Sequence, residues 1–444
     1  MSFSIVSGFV TALALAAAAV AGGAGNGGSA AMAADAPAPQ PTGALRLAEA
    51  LRLALTSSPE LAPFSLEIRA AEARALQAGL LPNPEAELHV EDVLGTGSFE
   101  GGRQAQVTLQ LSQLVELGGK RKARIAVAGS GRDVASAEYE VKRIEVLAEA
   151  TKRFLDVLER QHSLDLVREA VELDRATLDV VRRRITAGAG SLLEEKRAQV
   201  TLAQSRVSDE DARHELAVAR TTLAAVWGAP KPTFERVEAE LFARRPVPEW
   251  AKLERNLDGS PEILLRTTER RLRDAELRLA EARRIPDVTL LAGPRRLEGA
   301  DEQALVFGLS APLPLFDRNQ GSIAEASTLV EKTGAERRAA EVRLRALLYE
   351  LWQELTHAGH VLDVLERDLL PAAEATLALS REGFERGRFS HLELLDAGRA
   401  FLEARRRRIE AAASFHRFAL EIERVTATPI DEPEAPPLGE GGTP

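Results

Sequence analysis

Side chains able to do chemistry are sparse in this 444-residue chain. Glu85, Glu87, His89 and Glu91 alternate with Ala86, Leu88 and Val90, so a strand there sets three acids and an imidazole on one face and aliphatic groups on the other. His357 and His360 are three apart, which places two imidazoles on one helix face. No third histidine or carboxylate cluster stands near them in the sequence, and no metal site is assigned. Glu393 and Asp396 share a helix face in the same way. There is no GxSxG, P-loop, HExxH or strand-linked GxGxxG, so the reading is not an enzyme and calls for no cofactor. The absence of cysteine removes disulfides, thiolate metal sites, cysteine nucleophiles and an N-terminal lipidated Cys. What remains is the chemistry of charge lining a surface.

Two kinds of element must position these groups. The alternation at Glu85 to Val93 is followed by the glycine-rich loop Gly95 to Gly102 and a second alternation at Val107, Leu109 and Leu111, a β-hairpin over 85–113. Val288, Leu290 and Ala292, then Leu305, Phe307 and Leu309 beyond the loop Arg296 to Gln303, predict a second hairpin over 287–312. Between the hairpins the period becomes helical. Val157, Leu164, Val171, Leu178 and Ile185 fall seven apart, as do Leu348, Leu355, Leu362 and Leu369, which is coiled-coil spacing. Helices are expected at 120–187, 191–227, 320–386 and 390–425, the first on the order of 100 Å long.

The chain also repeats itself. Ser58-Pro59-Glu60-Leu61 returns as Ser260-Pro261-Glu262-Ile263, Pro84 as Pro286, Leu111-Ser112 as Leu309-Ser310, and Gly188-Ala189-Gly190-Ser191 as Gly387-Arg388-Phe389-Ser390, always 198 to 202 residues on. This predicts a tandem repeat with units at 43–227 and 263–426, a linker or equatorial segment at 228–262, and a disordered tail at 427–444. Residues 1–33 hold an uncharged apolar run ending in Ala31-Met32-Ala33, which reads as a signal peptide, although no Lys or Arg precedes the run; a retained membrane anchor is the alternative. The net charge of −10 and the mixing of Arg405 to Arg408 with acids speak against nucleic-acid binding.

Four strands with an apolar face are too few to close a membrane barrel, and an open sheet has no place in lipid. Several chains sharing one barrel, continued by the heptad helices, resolve this. At that point LPNPEAELHVEDVLGTG (Leu81 to Gly97) and LSQLVELGGKRKARIAVA (Leu111 to Ala128) resemble the TolC-type outer-membrane efflux family, most closely its CzcC-like and CusC-like heavy-metal branch; the resemblance covers about residues 43 to 426. It implies a mixed α+β fold: a homotrimer with four strands per chain in a shared 12-stranded β-barrel, continued by a long α-helical barrel through the periplasm. The implied partners are a periplasmic adaptor (membrane fusion protein), an inner-membrane pump of the resistance-nodulation-division type and outer-membrane lipid. The implied function is a passive conduit for divalent heavy-metal cations.

The resemblance also assigns residues. Pro84, Gly118, Gly119, Pro286, Pro312 and Pro314 become strand-to-helix joints, ordinary loop residues being the alternative. Gly188, Ser191, Gly387 and Ser390 become turns that dock the adaptor, with the serines as N-caps. Glu393 and Asp396, with Glu194 and Arg197 at the equivalent places in the first unit, become a periplasmic gate in which Arg197 could answer the acids; plain solvated acids are the alternative. Apart from the resemblance, if the apolar face meets lipid, Glu85, Glu87, His89 and Glu91 point into the barrel lumen and favour cations, against the alternative that lumens are polar in any case. A general drug or peptide-secretion channel remains open as a rival, as does a periplasmic coiled-coil adaptor or scaffold, which leaves the four strands idle.

Overall fold

The computed structural model describes residues 41–430; the expected signal peptide and the last part of the expected tail lie outside the described residues. Among the described residues no helix is long and apolar enough to cross a membrane. The chain divides into two compact units, one made of Phe64–Tyr139 and Glu262–Ala340, the other of the segments up to Pro63, Glu140–Pro261 and from Glu341 onward.

The first unit holds the sheet. Strands β2 (Glu85–Glu91), β3 (Gln106–Val115), β5 (Val288–Leu297) and β6 (Glu302–Ser310) form one antiparallel sheet in the order β2-β3-β5-β6. Glu85 lies opposite Ser112, Leu111 opposite Ala292, and Leu290 opposite Leu309, so the alternations expected from sequence are in phase across all four strands. Gly293 and Pro294 interrupt the β3–β5 ladder; a Cβ on Gly293 would stand 2.0 Å from the Leu109 carbonyl oxygen, and Pro294 has no N–H to donate. Among the described residues, outer strands β2 and β6 each leave one edge unpaired.

The second unit is helical. It takes residues 140–186 of helix α3 (Lys120–Thr186), α4 (Leu192–Ala225), the later part of α7 (Gln320–Val364), α8 (Leu370–Glu385) and α9 (His391–Thr426). The heptad positions Val157, Leu164, Leu178, Leu348, Leu355 and Leu362 are buried as their spacing requires. Leu369 is not, at 41% exposure. The helix expected over 320–386 is broken by a π-helical turn at Leu365–Leu369, just before Pro371, and the extra residue shifts the stripe by one, so that Leu370 is half-buried where Leu369 turns outward.

In the segment 228–262, expected as a linker or equatorial segment, β4 (Phe234–Glu238) pairs in parallel with β1 (Gly43–Arg46), and α5 (Trp250–Arg255) with a 3-10 turn follows. The chain also remains ordered past 427. Ala427 takes the left-handed conformation that ends α9, and the N–H of buried Ile430 donates to the Glu423 carboxylate at 3.2 Å. Helices α1 (Leu47–Ser57), α2 (Ala62–Ala78) and α6 (Pro261–Ala282) complete the element order.

Candidate functional site

The sheet has two unlike faces. Leu88, Val90, Leu109, Leu111, Leu290, Leu305, Phe307 and Leu309 project from one side with 47 to 76% of their area exposed, an apolar patch that water would penalise and lipid would accept. Glu85, Glu87, His89 and Glu91 project from the other, facing Ser112, Gln110, Thr108 and Gln106 across the β2–β3 ladder. The Gln110 side-chain amide donates to Glu87 at 2.6 Å and lies 2.9 Å from His89 Nε2, which is itself 3.1 Å from the Glu87 carboxylate.

This face is less acidic than β2 alone implied. Arg295 of β5 reaches across it, its Nε donating to the Thr108 hydroxyl at 2.8 Å and its Nη2 lying 3.7 Å from the Glu91 carboxylate. Nothing in the local pattern of β5 marks Arg295, because its partners come from strands almost 190 residues earlier.

At the first strand-to-helix joint, Gly118 and Gly119 both have positive φ, and a Cβ on Gly118 would meet the Ala282 carbonyl oxygen at 2.9 Å. Asp287, which the sequence reading passed over, ties the joint together. Its carboxylate lies 2.7 Å from the Lys120 ammonium and accepts the Leu117 N–H at 3.0 Å. Burial opposes its ionisation, but Lys120, the Leu117 N–H and Arg124 hold its carboxyl below the ordinary aspartate value. Pro84 directly precedes β2 and Pro286 stands two residues before β5, while Pro312 and Pro314 lie between β6 and α7. At that second joint the left-handed residue is Asn319, whose amide donates to the Ala280 carbonyl at 2.7 Å.

The helical turns after α3 and after α8 are built alike. Gly188 and Gly387 have φ of 71° and 72°. Their N–H groups donate to Ile185 and Phe384, and the following N–H groups, of Ala189 and Arg388, reach back to the Arg184 and Gly383 carbonyls at 2.8 Å each. This is the paired-bond ending of a helix that closes on a left-handed glycine. Ser191 and Ser390 then cap α4 and α9, and Glu194 and Glu393 return the favour by accepting the serine N–H groups at 3.1 and 2.6 Å. The Ser390 N–H and hydroxyl hold the Glu393 carboxyl below the ordinary glutamate range.

Two of the four residues read as a gate are therefore engaged as caps. The other two, Arg197 and Asp396, are exposed one turn further along, and among the described residues no ion pair joins Arg197 to Glu393 or Asp396. The link between the turns is Arg184, which sequence reasoning missed. It donates to the Phe384 carbonyl at 2.7 Å and to Ala189 at 3.2 Å, with its guanidinium 4.3 Å from the Phe384 ring centroid. Phe384 joins Leu178, Val181, Ala198, Leu202 and Leu394 in one apolar cluster.

Beside Phe384 lies His391, 3% exposed, with neither ring nitrogen hydrogen-bonded among the described residues. Burial pushes its pKa down; Glu194 opposes this, and Arg197 and Arg184 add to it. His357 and His360 are both exposed, and no group of three His, Asp or Glu side chains converges as a metal site among the described residues.

The family described as Outer membrane efflux protein matches residues 50–229 and 253–428. Cobalt-zinc-cadmium resistance protein CzcC of Cupriavidus metallidurans is 31% identical over 86% of this chain and 90% of its own length. Nickel-cobalt-cadmium resistance protein NccC of Alcaligenes xylosoxydans xylosoxydans is 29% identical over 69% of this chain and 70% of its own. Among solved structures, the outer membrane protein VceC of Vibrio cholerae superposes with a TM-score of 0.72 at 19% identity, covering 87% of this chain and 97% of that one, a likeness of fold.

Proposed function

The chain belongs to the outer membrane efflux protein family, and from that premise we propose that it is the outer-membrane channel of a tripartite pump that exports divalent heavy-metal cations. The observation that carries the channel reading is the two-faced sheet: an exposed apolar face suited to lipid, backed by a face bearing Glu85, Glu87, His89 and Glu91, on four strands with both outer edges unpaired. The metal reading follows from the relatives named for cobalt, zinc, cadmium and nickel resistance. In this reading the chain is a homotrimer that closes a 12-stranded barrel. The turns at Gly188–Ser191 and Gly387–Ser390 meet a periplasmic adaptor, which links the channel to an inner-membrane pump that supplies the energy.

In this reading the gate charge narrows to two residues. Glu194 and Glu393 are bound to their own helix starts, so the charge free to face a tunnel axis at this level belongs to Asp396 and Arg197. The lumen carries Arg295 as well as its acids, which moderates the cation preference without abolishing it.

Growth of a deletion strain and its complemented control across graded zinc, cobalt, cadmium, nickel and copper, with bile salts and dyes in parallel, tests the proposal. Sensitivity confined to divalent metals and restored by the gene is expected. Sensitivity to the organic compounds alone would move the chain to a drug-efflux role.

A further inference from the structure

We propose that Glu87, His89 and Gln110 form a weak binding site for a first-row divalent cation of the zinc or cobalt kind, on the polar face of the sheet. The site deepens the channel reading and rests on it for its role, though not for its existence.

The argument starts from a triangle of atoms. Glu87 Oε2, His89 Nε2 and the Gln110 amide nitrogen stand 2.6, 2.9 and 3.1 Å apart, so each is in contact with both others. With the carboxyl ionised, no placement of protons satisfies all three sides. With the imidazole proton on Nδ1, the amide can donate to the ring nitrogen and to the carboxylate, but the ring lone pair then faces the carboxylate with no hydrogen between them. With the proton on Nε2, the ring donates to Glu87, and its N–H then meets the N–H of Gln110. Turning the amide over relieves that clash only by setting its oxygen against the carboxylate oxygen at the 2.6 Å contact.

A cation capping the triangle, out of its plane, resolves the conflict. It takes the carboxylate oxygen, the neutral imidazole nitrogen and the turned amide oxygen as three ligands at once. Neighbouring ligand atoms at about 2.1 Å in an octahedral shell stand about 3 Å from one another, close to the spacing found here. Imidazole with carboxylate and carbonyl oxygen is a set suited to zinc, cobalt and nickel rather than to soft monovalent copper.

The sheet holds the set in place. Glu87 and Gln110 face each other directly across the β2–β3 ladder, and His89 is the next residue on the same face. Arg295 is turned instead toward Glu91 and Thr108, which keeps its charge engaged at the neighbouring level. Three protein ligands leave the remaining positions to water, and the side chains are about half exposed. Such a site loads and unloads quickly, as a way-station on a conduit must.

The test is equilibrium dialysis of the detergent-solubilised full-length protein against zinc chloride from the micromolar to the millimolar range. One zinc per chain is expected to disappear in His89→Gln and in Glu87→Gln and to persist in the His357→Ala/His360→Ala double variant. Gln110→Glu, which replaces the amide by a second carboxylate, is expected to tighten binding about tenfold. Equal zinc uptake by wild type and His89→Gln, or an unaltered affinity in Gln110→Glu, would overturn the site. If the deletion strain is metal-sensitive while the site fails, the channel reading stands without it; if zinc binds as expected but the strain is sensitive only to organic compounds, the cargo reading fails and the site stands.

Discussion

The turns at 187–194 and 386–393 share one backbone design and differ in what they expose. Each closes its helix on a left-handed glycine, restarts on a capping serine and folds a glutamate back onto that serine. One turn further on, the first presents Arg197 and the second Asp396. The lesson is that the residues alike in the two copies serve the backbone, whereas the position where they diverge is free to carry a role. A paired acid at 393 and 396 looks like one unit in sequence; in the structure it is a cap beside an unengaged carboxylate.

Several substitutions would break or sharpen this comparison, each read as the local opening free energy of the two turns by amide hydrogen exchange. Arg184→Ala is expected to have the largest effect, about 2 to 3 kcal/mol, because it removes a charged donor from the Phe384 and Ala189 carbonyls and the guanidinium from the Phe384 ring. Its loss should open both turns; opening of only one would mean that they are not coupled through this side chain. Gly188→Ala and Gly387→Ala come next, at about 1 to 2 kcal/mol each, since both sites have room for a methyl group and only the positive φ opposes it. Unequal costs would show that the two turns are not equivalent. Ser191→Ala and Ser390→Ala should each cost about 1 kcal/mol and shift protection in the first turn of α4 or α9 alone.

Exchanging the charges, Arg197→Asp and Asp396→Arg, should move stability by less than about 0.5 kcal/mol. If Asp396 faces a transport path, metal tolerance of the complemented strain falls in Asp396→Arg although the turn is intact; full tolerance would return Asp396 to the solvated surface. The most local effect is one of pH. The folded turn resists protonating His391, whereas the open turn takes up a proton near the ordinary value of 6.5. Closure is therefore fully favoured above that value and weakens as pH falls below it toward the depressed folded value. His391→Leu should flatten the response, and an unchanged pH dependence would show that another group is responsible.

Much of this was legible in the chain. Alternation at 85–91 and 288–292, heptads through 157–185 and 348–362, and the glycine and serine signals at 188–191 and 387–390 are local patterns, and local patterns dictate elements. Even the capping boxes stood in plain view as Ser-x-x-Glu at 191–194 and 390–393. In each box the glutamate is the reciprocal partner of the serine, a use that its spacing alone signals. Features that depend on distant partners could not be seen. Arg184 meets a carbonyl 200 residues later, Asp287 meets an N–H 170 residues earlier, and Arg295 acts on strands formed long before it. The π turn was hidden for another reason: Leu369 continues the heptad count in sequence, and only the inserted residue reveals that the phase has slipped.

The parallel pairing of β1 with β4 bears on how the chain comes to be assembled. Thr233 closes onto the Pro41 carbonyl across 192 residues, and the two strands follow it, with one register shift between Gly43 and Ala44. A polypeptide that emerges from its N-terminus must therefore keep Gly43–Arg46 without its partner while both hairpin strands β2 and β3 and the helices α3 and α4 are made. That contact is late by construction, because its loop-closure entropy cannot be recovered until the intervening chain is in place. A chain interrupted before residue 234 would leave its first strand without a partner, so unfinished and finished molecules differ in the protection of the Gly43–Arg46 amides.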